Sequence, residues 1–389
     1  MPQGVYLDYN ATTPVLPEVL DAMRPYFNEI FGNAASPHLW GKEALDAVEA
    51  ARHTLAKGLG INTQELIFTS GATEALNLAL FGLAQAYEHG GRHHILVSAT
   101  EHKAVLDPLR ILSERGWIIE ILPVDKDGRL SPEVVKAALR SDTLLVAVML
   151  ANNETGVIQP VSEIAAIAHE KGALILCDTT QAVGKIPFTL PELDVDMAVL
   201  SAHKFYGPKG IGTLYIRRRS PRVSIKPLIF GGKHERGLRS GTLPVPLIVG
   251  MAKAFEIVSE KLPAESQRQA ALRDKLEANL RTIYPAAIVN GASAPRLPNT
   301  LSVSFPGLKA SDILARMPLV AAATGSACSS ALPEPSHVLL AMGHSPDLAK
   351  ATLRFSLGLP TTESDIESAS EMISRAINSL RPSMPIYRG

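Results

Sequence analysis

Lys204 is the side chain with the clearest chemical potential, because of where it falls in the chain. It follows a predicted apolar strand over residues 197–201 and is flanked by Phe205 and Tyr206. An apolar environment disfavours an ammonium ion and lowers the pKa of a lysine, and a neutral amine can form a Schiff base. The alternative is an exposed lysine in a Gly/Pro turn, which describes Lys209 better than Lys204. We therefore expect Lys204 to be a Schiff-base lysine.

Asp178 ends a second predicted apolar strand, over residues 173–178, and Gln181 follows on the same turn. Open α/β sheets bind their ligands beyond the carboxyl ends of their parallel strands. A carboxylate at that place is suited to pairing with a cationic ring nitrogen. Taken alone, Asp178 is explained equally well as a helix N-cap.

Residues 69–74, with the sequence TSGATE, follow a third predicted strand and begin a predicted helix. Small residues allow close backbone approach, and the free N–H groups of a first helical turn bind anions. The hydroxyls of Ser70 and Thr73 can add donors. A capping box explains the same residues without any ligand. The segment lacks the spacing of a P-loop, and no G-x-G-x-x-G follows a strand, so neither of those nucleotide sites is predicted.

Together, the three segments supply a phosphate cup, an acidic partner for a pyridinium nitrogen and a Schiff-base lysine. Pyridoxal phosphate needs those three parts from a protein. The combination is much more specific than any one part, because each part has an ordinary structural explanation of its own. The sequence therefore predicts a pyridoxal 5′-phosphate site. We predict no metal ion, because His93 and His94 lack metal-ligand spacing to other histidines or cysteines.

The elements that must position these segments alternate between short apolar runs and amphipathic stretches. The run at residues 143–150 is apolar almost throughout, which is typical of a strand in a mostly parallel sheet covered by helices on both faces. We predict a doubly wound α/β fold with seven strands, at residues 66–69, 94–98, 118–122, 143–150, 173–178, 197–201 and 212–216. The helices between them are predicted at residues 73–87, 104–115, 131–138 and 161–171.

A change of pattern near residue 262 indicates a second unit. A helical pattern over residues 262–284, with Pro263 near its start, is followed by short strand patterns and by a closing helix over residues 365–380. We therefore predict a large cofactor-binding domain over residues 16–262. Residues 1–15 and 263–389 would form a smaller α+β domain, which carries a loop at about residues 324–335.

Composition and charge exclude several other classes of protein. The chain has 389 residues, of which 46% are apolar and 20% charged, so it is not mainly disordered. Lys plus Arg and Asp plus Glu number 38 each, so the formal net charge is zero and a nucleic-acid partner is not expected. No apolar run approaches the ~18–20 residues that cross a bilayer, and the N-terminus has no signal-peptide pattern. We predict a cytoplasmic protein without a membrane partner.

Nine segments carry a resemblance to a known family, in the right order over nearly the whole chain. They are residues 6–14 (YLDYNATTP), 68–79 (FTSGATEALNLA), 100–106 (TEHKAVL), 152–156 (NNETG), 178–185 (DTTQAVGK), 201–210 (SAHKFYGPKG), 234–242 (HERGLRSGT), 324–330 (TGSACSS) and 354–358 (RFSLG). The chain resembles the cysteine desulfurases of the NifS/IscS type, within the class V aminotransferase superfamily. The resemblance implies a fold-type I pyridoxal-phosphate enzyme with a large domain, built on a mostly parallel seven-stranded sheet, and a smaller α+β domain.

The resemblance also implies roles around the cofactor. Lys204 matches the lysine that holds the cofactor covalently, and His102 matches a histidine that stacks on the ring and is proposed to move protons. Asp178 matches the partner of the pyridine nitrogen, and Gln181 matches the contact to the ring hydroxyl. Five residues match the phosphate cup: Ala72, Thr73, Ser201 and His203 from one subunit, and Thr242 from the other. A phosphate cup shared between subunits implies a homodimer.

The substrate implied by the resemblance is L-cysteine. Arg354 and Asn153 match the pair that holds the substrate carboxylate, with Asn33 near it, and Asn153 also counts among the cofactor contacts. A bidentate arginine suits a carboxylate. The implied product is L-alanine, and the sulfur goes to an acceptor protein.

Cys328 decides which chemistry the resemblance implies. It lies in GSACSS at residues 325–330, a run of small residues that is typical of an exposed loop. A lone cysteine is more often a small buried residue, and that reading suits Cys177 inside its apolar strand. For Cys328, the small-residue run and the family match favour a nucleophile that receives the substrate sulfur as a persulfide.

Three alternatives remain open. A selenocysteine lyase resembles this family strongly and shares the same site. A class V aminotransferase or lyase that does not use Cys328 would stay active without the thiol. The third alternative is a non-enzymatic sulfur-relay scaffold. The chain carries the complete set of lysine, aspartate, arginine and cysteine, which such a scaffold would not need. An iron–sulfur scaffold is one conceivable acceptor, although the chain ends soon after its last predicted helix, where housekeeping members carry a longer tail implicated in docking that scaffold.

Overall fold

The computed structural model describes residues 4–218, 223–324 and 334–380. The strands in these residues are β1 (Val5–Tyr6), β2 (Leu66–Thr69), β3 (His94–Ser98), β4 (Ile118–Leu122), β5 (Thr143–Ala147), β6 (Leu174–Asp178), β7 (Met197–Ser201), β8 (Gly212–Ile216), β9 (Ile288–Val289), β10 (Thr300–Ser304), β11 (Val320–Ala321), β12 (Ala323–Thr324) and β13 (Thr352–Ser356).

The α-helices in the same residues are α1 (Pro17–Met23), α2 (Pro25–Asn28), α3 (Leu39–Leu59), α4 (Ala72–Tyr87), α5 (Lys103–Glu114), α6 (Pro132–Ala138), α7 (Val161–Glu170), α8 (Leu190–Leu193), α9 (Val245–Ile283), α10 (Ala310–Arg316), α11 (His337–Ala341), α12 (Pro346–Lys350) and α13 (Glu363–Leu380). None of these described helices is long and apolar enough to span a bilayer.

The central sheet has seven strands in the order β2-β8-β7-β6-β5-β3-β4. Strands β4, β3, β5, β6 and β7 run parallel, and β8 pairs antiparallel with both β7 and β2. Every strand except β4 is buried along its whole length, which explains the continuous apolar runs. The predicted fold class, with its mostly parallel seven-stranded sheet, is confirmed.

Two apolar cores cover the two faces of this sheet. Ile95 and Val97 of β3 pack into one core with residues of α4 and α5, whereas Leu96 between them packs into the other with residues of α3, α7 and α9. This alternation follows from the two-residue period of a strand. Each fully buried aliphatic side chain contributes about 1.5–3 kcal/mol, so burial on both faces stabilises the sheet strongly.

A second sheet has four strands in the order β12-β13-β10-β9, with antiparallel pairing throughout. The N-terminal segment lies against it: Tyr9 donates its backbone N–H to the carbonyl of Ser356, and β1 pairs with β11. A third core, which includes Leu7, Phe305 and Phe355, lies under this sheet. Residues 7–9 therefore lie beside β13, the last strand of the described residues.

Helix α9 connects the two regions and runs from Val245 to Ile283. The predicted helix start near residue 262 is wrong, because Pro263 lies inside the helix and does not begin it. Residues 245–258 pack into a core of the central sheet and residues 272–280 into the core of the second sheet. Packing on both sides stabilises a helix that a proline, which lacks a backbone N–H, would otherwise interrupt. The predicted boundary between residues 262 and 263 falls within it, and the division into two domains stays a prediction.

Candidate active site

A pocket of about 480 Å³ opens beyond the carboxyl ends of β6 and β7, beside the N-terminus of α4. It brings together residues from all three segments on which the cofactor prediction rests. The predicted site residues that line it are Ala72, Thr73, His102, Asn153, Asp178, Gln181, Ser201, His203, Lys204 and Arg354. These residues lie far apart in the chain, so the fold creates the site.

Lys204 lies in the short 3₁₀ turn Ala202–Lys204 that follows β7. Its Nζ donates to the backbone carbonyls of Asn10, at 2.7 Å, and Ala11, at 2.8 Å. Both carbonyls belong to the N-terminal segment, which crosses from the second sheet to the pocket. The amine is thus placed at the pocket by backbone atoms on one side and by the end of a buried strand on the other.

The N-terminus of α4 forms the anion-binding side of the pocket. Gly71 precedes the helix and offers no side chain to cap it, so the first-turn N–H groups beside Ala72 and Thr73 keep their capacity to bind an anion. Strand β8 passes so close that a Cβ on Gly212 would lie 2.7 Å from the Cα of Gly71. Ser201 and His203 line the same part of the pocket and can add donors. This cradle fits a phosphate group.

The acidic side of the pocket is formed by Asp178, which is buried at the end of β6. One carboxylate oxygen accepts the backbone N–H of Thr180 at 2.9 Å. The residue thus stabilises a local turn, as the capping alternative proposed, and also lines the pocket. A single residue satisfies both expectations, and its carboxylate can pair with a pyridinium nitrogen.

The two histidines of the pocket are held neutral by their surroundings. Burial lowers the pKa of His102, with the charge of Asp178 opposing and that of Lys204 adding to the effect. Its Nδ1 accepts the N–H of Ala104 at 3.0 Å, so the proton of the neutral ring is on Nε2. Burial and the charge of Lys204 lower the pKa of His203 to about 4. A neutral imidazole at His102 can stack on an aromatic ring and exchange a proton.

Arg354 reaches the pocket from β13 of the second sheet. Its Nη2 donates to the Oδ1 of Asp8 at 2.6 Å, and its Nη1 donates to the carbonyl of Asn153 at 3.0 Å. Its Nε is buried, and within the described part of the chain no acceptor pairs with it. A guanidinium held in this way has a donor available for a carboxylate ligand.

Three predicted residues do not lie in the pocket that the structure describes. Asn33 is exposed, and its side-chain oxygen accepts the N–H of Ala35 at 2.9 Å. Thr242 is exposed and does not line the pocket. Cys328 and residues 325–333 around it lie outside the described residues. The roles predicted for all site residues stay predictions.

Asn10 is the main pocket residue that the sequence reasoning did not identify. Its carbonyl accepts from both Lys204 and Gln181, and its side chain donates to Thr300 Oγ1 at 2.9 Å. The signal was present, since Asn10 lies inside the first of the nine family segments. Its role could not be derived from spacing, because it depends on the N-terminal segment lying over the pocket.

Comparison with known proteins identifies the family. A family model described as aminotransferase class V matches residues 5–368. The chain belongs to this family. A cysteine desulfurase IscS of Anaeromyxobacter dehalogenans (strain 2CP-C) is 48% identical over 384 residues, which cover 98% of this chain and 95% of that protein.

Two solved structures extend the comparison. A NifS-like protein superposes with a TM-score of 0.90 at 40% identity, covering 97% of this chain and 100% of its own. A structure titled SspA in complex with cysteine superposes with a TM-score of 0.80 at 35% identity, covering 91% of this chain and 98% of its own. The resemblance to NifS/IscS-type cysteine desulfurases is confirmed, and with it the predictions of a cysteine desulfurase enzyme and of pyridoxal phosphate as its cofactor.

Proposed function

We propose that this pyridoxal-phosphate-dependent cysteine desulfurase uses the pocket described above to convert L-cysteine to L-alanine and places the substrate sulfur on Cys328. The observation that carries the proposal is one pocket that combines Lys204, Asp178 and the N-terminus of α4 with Arg354. The cysteine desulfurase relative and the solved complex with cysteine support L-cysteine as the substrate.

The donor set of the pocket fits the cofactor. Lys204 would attach it, Asp178 would pair with its ring nitrogen, and the α4 N-terminus would hold its phosphate with Ser201 and His203. Gln181 would contact the ring hydroxyl and His102 the ring face. When bound, pyridoxal phosphate supplies an electron sink that stabilises negative charge at the substrate α-carbon.

Lys204 and His102 would handle protons. The Lys204 amine, which lines the pocket, would act as the base at the substrate α-carbon. The carbonyls of Asn10 and Ala11 keep this amine at the pocket. The burial that lowers the pKa of His102 keeps its ring neutral at neutral pH, and the ring would take up a proton at Nδ1 when the hydrogen bond from the Ala104 N–H is released.

Arg354 would orient the substrate by its carboxylate. The guanidinium is fixed by Asp8 and by the Asn153 carbonyl, so little conformational freedom is lost when a carboxylate binds. Burial strengthens such a charge-assisted hydrogen bond, because water does not compete for it. The side chain of Asn153, which also lines the pocket, can contribute a second contact.

Cys328 would take the sulfur. Its thiolate attacks the substrate sulfur, an S–S bond forms as the C–S bond breaks, and the electron pair of the broken bond stays with carbon, which is protonated to give alanine. Ala323 of β12 pairs with Arg354, and Cys328 follows Ala323 by five residues. At about 3.3–3.6 Å per residue, chain connectivity keeps the Cα of Cys328 within about 18 Å of the Cα of Ala323. This tether supports its access to the substrate.

We further propose that the protein is a homodimer. Thr242, which the family resemblance assigns to the phosphate of the other subunit, is exposed and lies away from its own pocket. Phe27, Phe31, Leu39 and Trp40 are each more than half exposed, which supports a surface that a partner covers. Analytical ultracentrifugation tests this proposal, and a monomer at micromolar concentration would contradict it.

We also propose a cytoplasmic location and delivery of the sulfur to an acceptor protein, of which an iron–sulfur scaffold is one candidate. A nucleophilic cysteine must remain reduced to act, and the cytoplasm keeps thiols reduced. The IscS relatives support such a role. Transfer of labelled sulfur from the loaded enzyme to a purified scaffold is the direct test.

The experiment that tests the proposed function compares alanine formation from L-cysteine in three proteins. Cys328→Ala should bind the cofactor but form no alanine. The matched control is Cys177→Ala, because Cys177 is fully buried in β6 and should leave the rate unchanged. Alanine formation by Cys328→Ala at the wild-type rate would contradict the proposal. Turnover of selenocysteine alone would favour a selenocysteine lyase.

A further inference from the structure

Lys185 is a buried lysine to which the proposed reaction gives no task. Its side chain is 8% exposed, and burial lowers its pKa well below the ordinary value, with the charges of Lys204 and Arg354 adding to the effect. Burial of an amine is costly unless its hydrogen bonds are satisfied. Its Nζ donates to Gln181 Oε1 at 2.6 Å and to Asn10 Oδ1 at 3.1 Å.

These contacts fix which way two amides face. In both contacts the Lys185 amine donates, so each amide turns its oxygen toward Lys185. The Asn10 amide has a second determinant, because Asn299 donates to the same oxygen at 3.1 Å. Among the described residues, Lys185 is the donor to the amide oxygen of Gln181. The Gln181 amide nitrogen consequently faces away from Lys185, and it donates to the Asn10 carbonyl at 3.0 Å.

The orientation matters because Gln181 lines the pocket. Its amide nitrogen carries two N–H groups, of which one goes to the Asn10 carbonyl. In the proposed function, Gln181 contacts the ring hydroxyl of the cofactor, whose oxygen bears negative charge when it is ionised. Such an oxygen needs a donor, and an amide turned by 180° would present its own oxygen instead.

We propose that Lys185 is a positioning residue, which holds the Gln181 amide with its N–H groups toward the cofactor site. This inference rests on the proposed function, since it assumes that the pocket binds pyridoxal phosphate. Lys185 itself touches neither cofactor nor substrate in the proposal; it acts through Gln181.

The test uses a double-mutant cycle of Lys185→Met and Gln181→Leu. Methionine is similar to the lysine stem in length, and replacing a buried charge by an apolar side chain often leaves stability unchanged or raised, so we expect the variant to fold. Two quantities are measured: the affinity of the cofactor-free protein for pyridoxal phosphate, and the pH midpoint at which the visible absorption of the bound cofactor changes. Lys57→Met, on an exposed helix surface, is the matched control.

We expect Lys185→Met to weaken cofactor binding roughly threefold to tenfold, the range for one lost hydrogen bond, and to raise the pH midpoint, because the ring oxygen loses a donor. In the Gln181→Leu background the same change should have no further effect. Lys185→Arg keeps the donor and should restore most of the affinity.

Three results would overturn the inference. The first is wild-type affinity and pH midpoint in Lys185→Met, and the second is an undiminished effect in the Gln181→Leu background. The third is a folded Lys185→Arg that behaves like Lys185→Met. A wild-type protein that binds no pyridoxal phosphate would overturn the proposed function as well, so the two failures are distinguishable.

Discussion

The residues proposed to hold the cofactor, which we call the cofactor side of the pocket, come from the central sheet, whereas Arg354 of the proposed substrate side comes from the second sheet. Asp178 ends β6 and Lys204 follows the adjacent parallel strand β7, and burial of both strands in the central sheet fixes their positions. Arg354 comes from the second sheet and is held at the pocket by Asp8 and by the Asn153 carbonyl. The groups proposed to hold the cofactor are thus positioned by the central sheet, whereas the arginine proposed to bind the substrate depends on a few contacts outside that sheet.

Asn10 joins the two sides. Its backbone N–H donates to Ser356 Oγ of the second sheet at 2.9 Å, and its carbonyl accepts from Lys204 and Gln181 on the cofactor side. One residue of the N-terminal segment therefore couples the position of the amine to the strand that carries Arg354. The difference between the two sides predicts distinct kinetic effects for substitutions on each.

The largest effect is expected on the cofactor side, for Lys204→Ala. Loss of the attaching amine and proton acceptor should lower alanine formation by about 10²–10⁴-fold or more. Borohydride reduction of the wild-type holoenzyme, followed by peptide mass mapping, should place the cofactor on Lys204. Cofactor found on Lys209 would contradict the assignment, and Lys57→Ala is the exposed control.

On the substrate side, Arg354→Lys should leave cofactor binding unchanged and weaken the binding of the substrate. Loss of the planar guanidinium should lower kcat/KM for L-cysteine by about 10- to 100-fold, chiefly through KM, since one or two charge-assisted hydrogen bonds are lost. The affinity for pyridoxal phosphate should stay within twofold. An equal loss of cofactor affinity would mean that the two sides are not separable as described.

A smaller effect, this time on stability, is expected from Glu101, a buried carboxyl near Asp178. Burial, with the nearby charge of Asp178, raises the pKa of Glu101 from 4.5 to about 8, although the Met149 N–H donates to it at 2.5 Å. The folded state therefore binds the proton more tightly than the unfolded state. The free energy of unfolding should fall as pH rises through this window, by at most about 1.4 kcal/mol per pH unit.

Glu101→Gln should remove that pH dependence, because the glutamine oxygen can still accept the Met149 N–H but cannot ionise. Urea unfolding at pH values between 5 and 8 measures it. Glu170→Gln, at an exposed position, should behave like wild type. If the free energies of unfolding of wild type and Glu101→Gln changed in parallel with pH, the Glu101 carboxyl would not be the source of the pH dependence.

The cofactor side could largely be predicted from the sequence, and the reason is local. Asp178, Lys204 and residues 69–74 each follow an apolar strand, and the carboxyl ends of such strands meet at one edge of a sheet. The contacts of Asn10 and Lys185 could not be predicted, because they depend on segments that are distant in the chain. The course of α9 was missed for a different reason, since Pro263 is tolerated inside a helix that packs on two cores.

The central claim is that the substrate sulfur crosses from the cofactor side to Cys328, and one measurement tests it directly. The holoenzyme is incubated with L-cysteine without reductant, excess substrate is removed, and the cysteine-containing peptides are mapped by mass spectrometry. We predict one added sulfur atom on the Cys328 peptide and none on the Cys177 peptide. Alanine release without added sulfur on Cys328 would contradict the account.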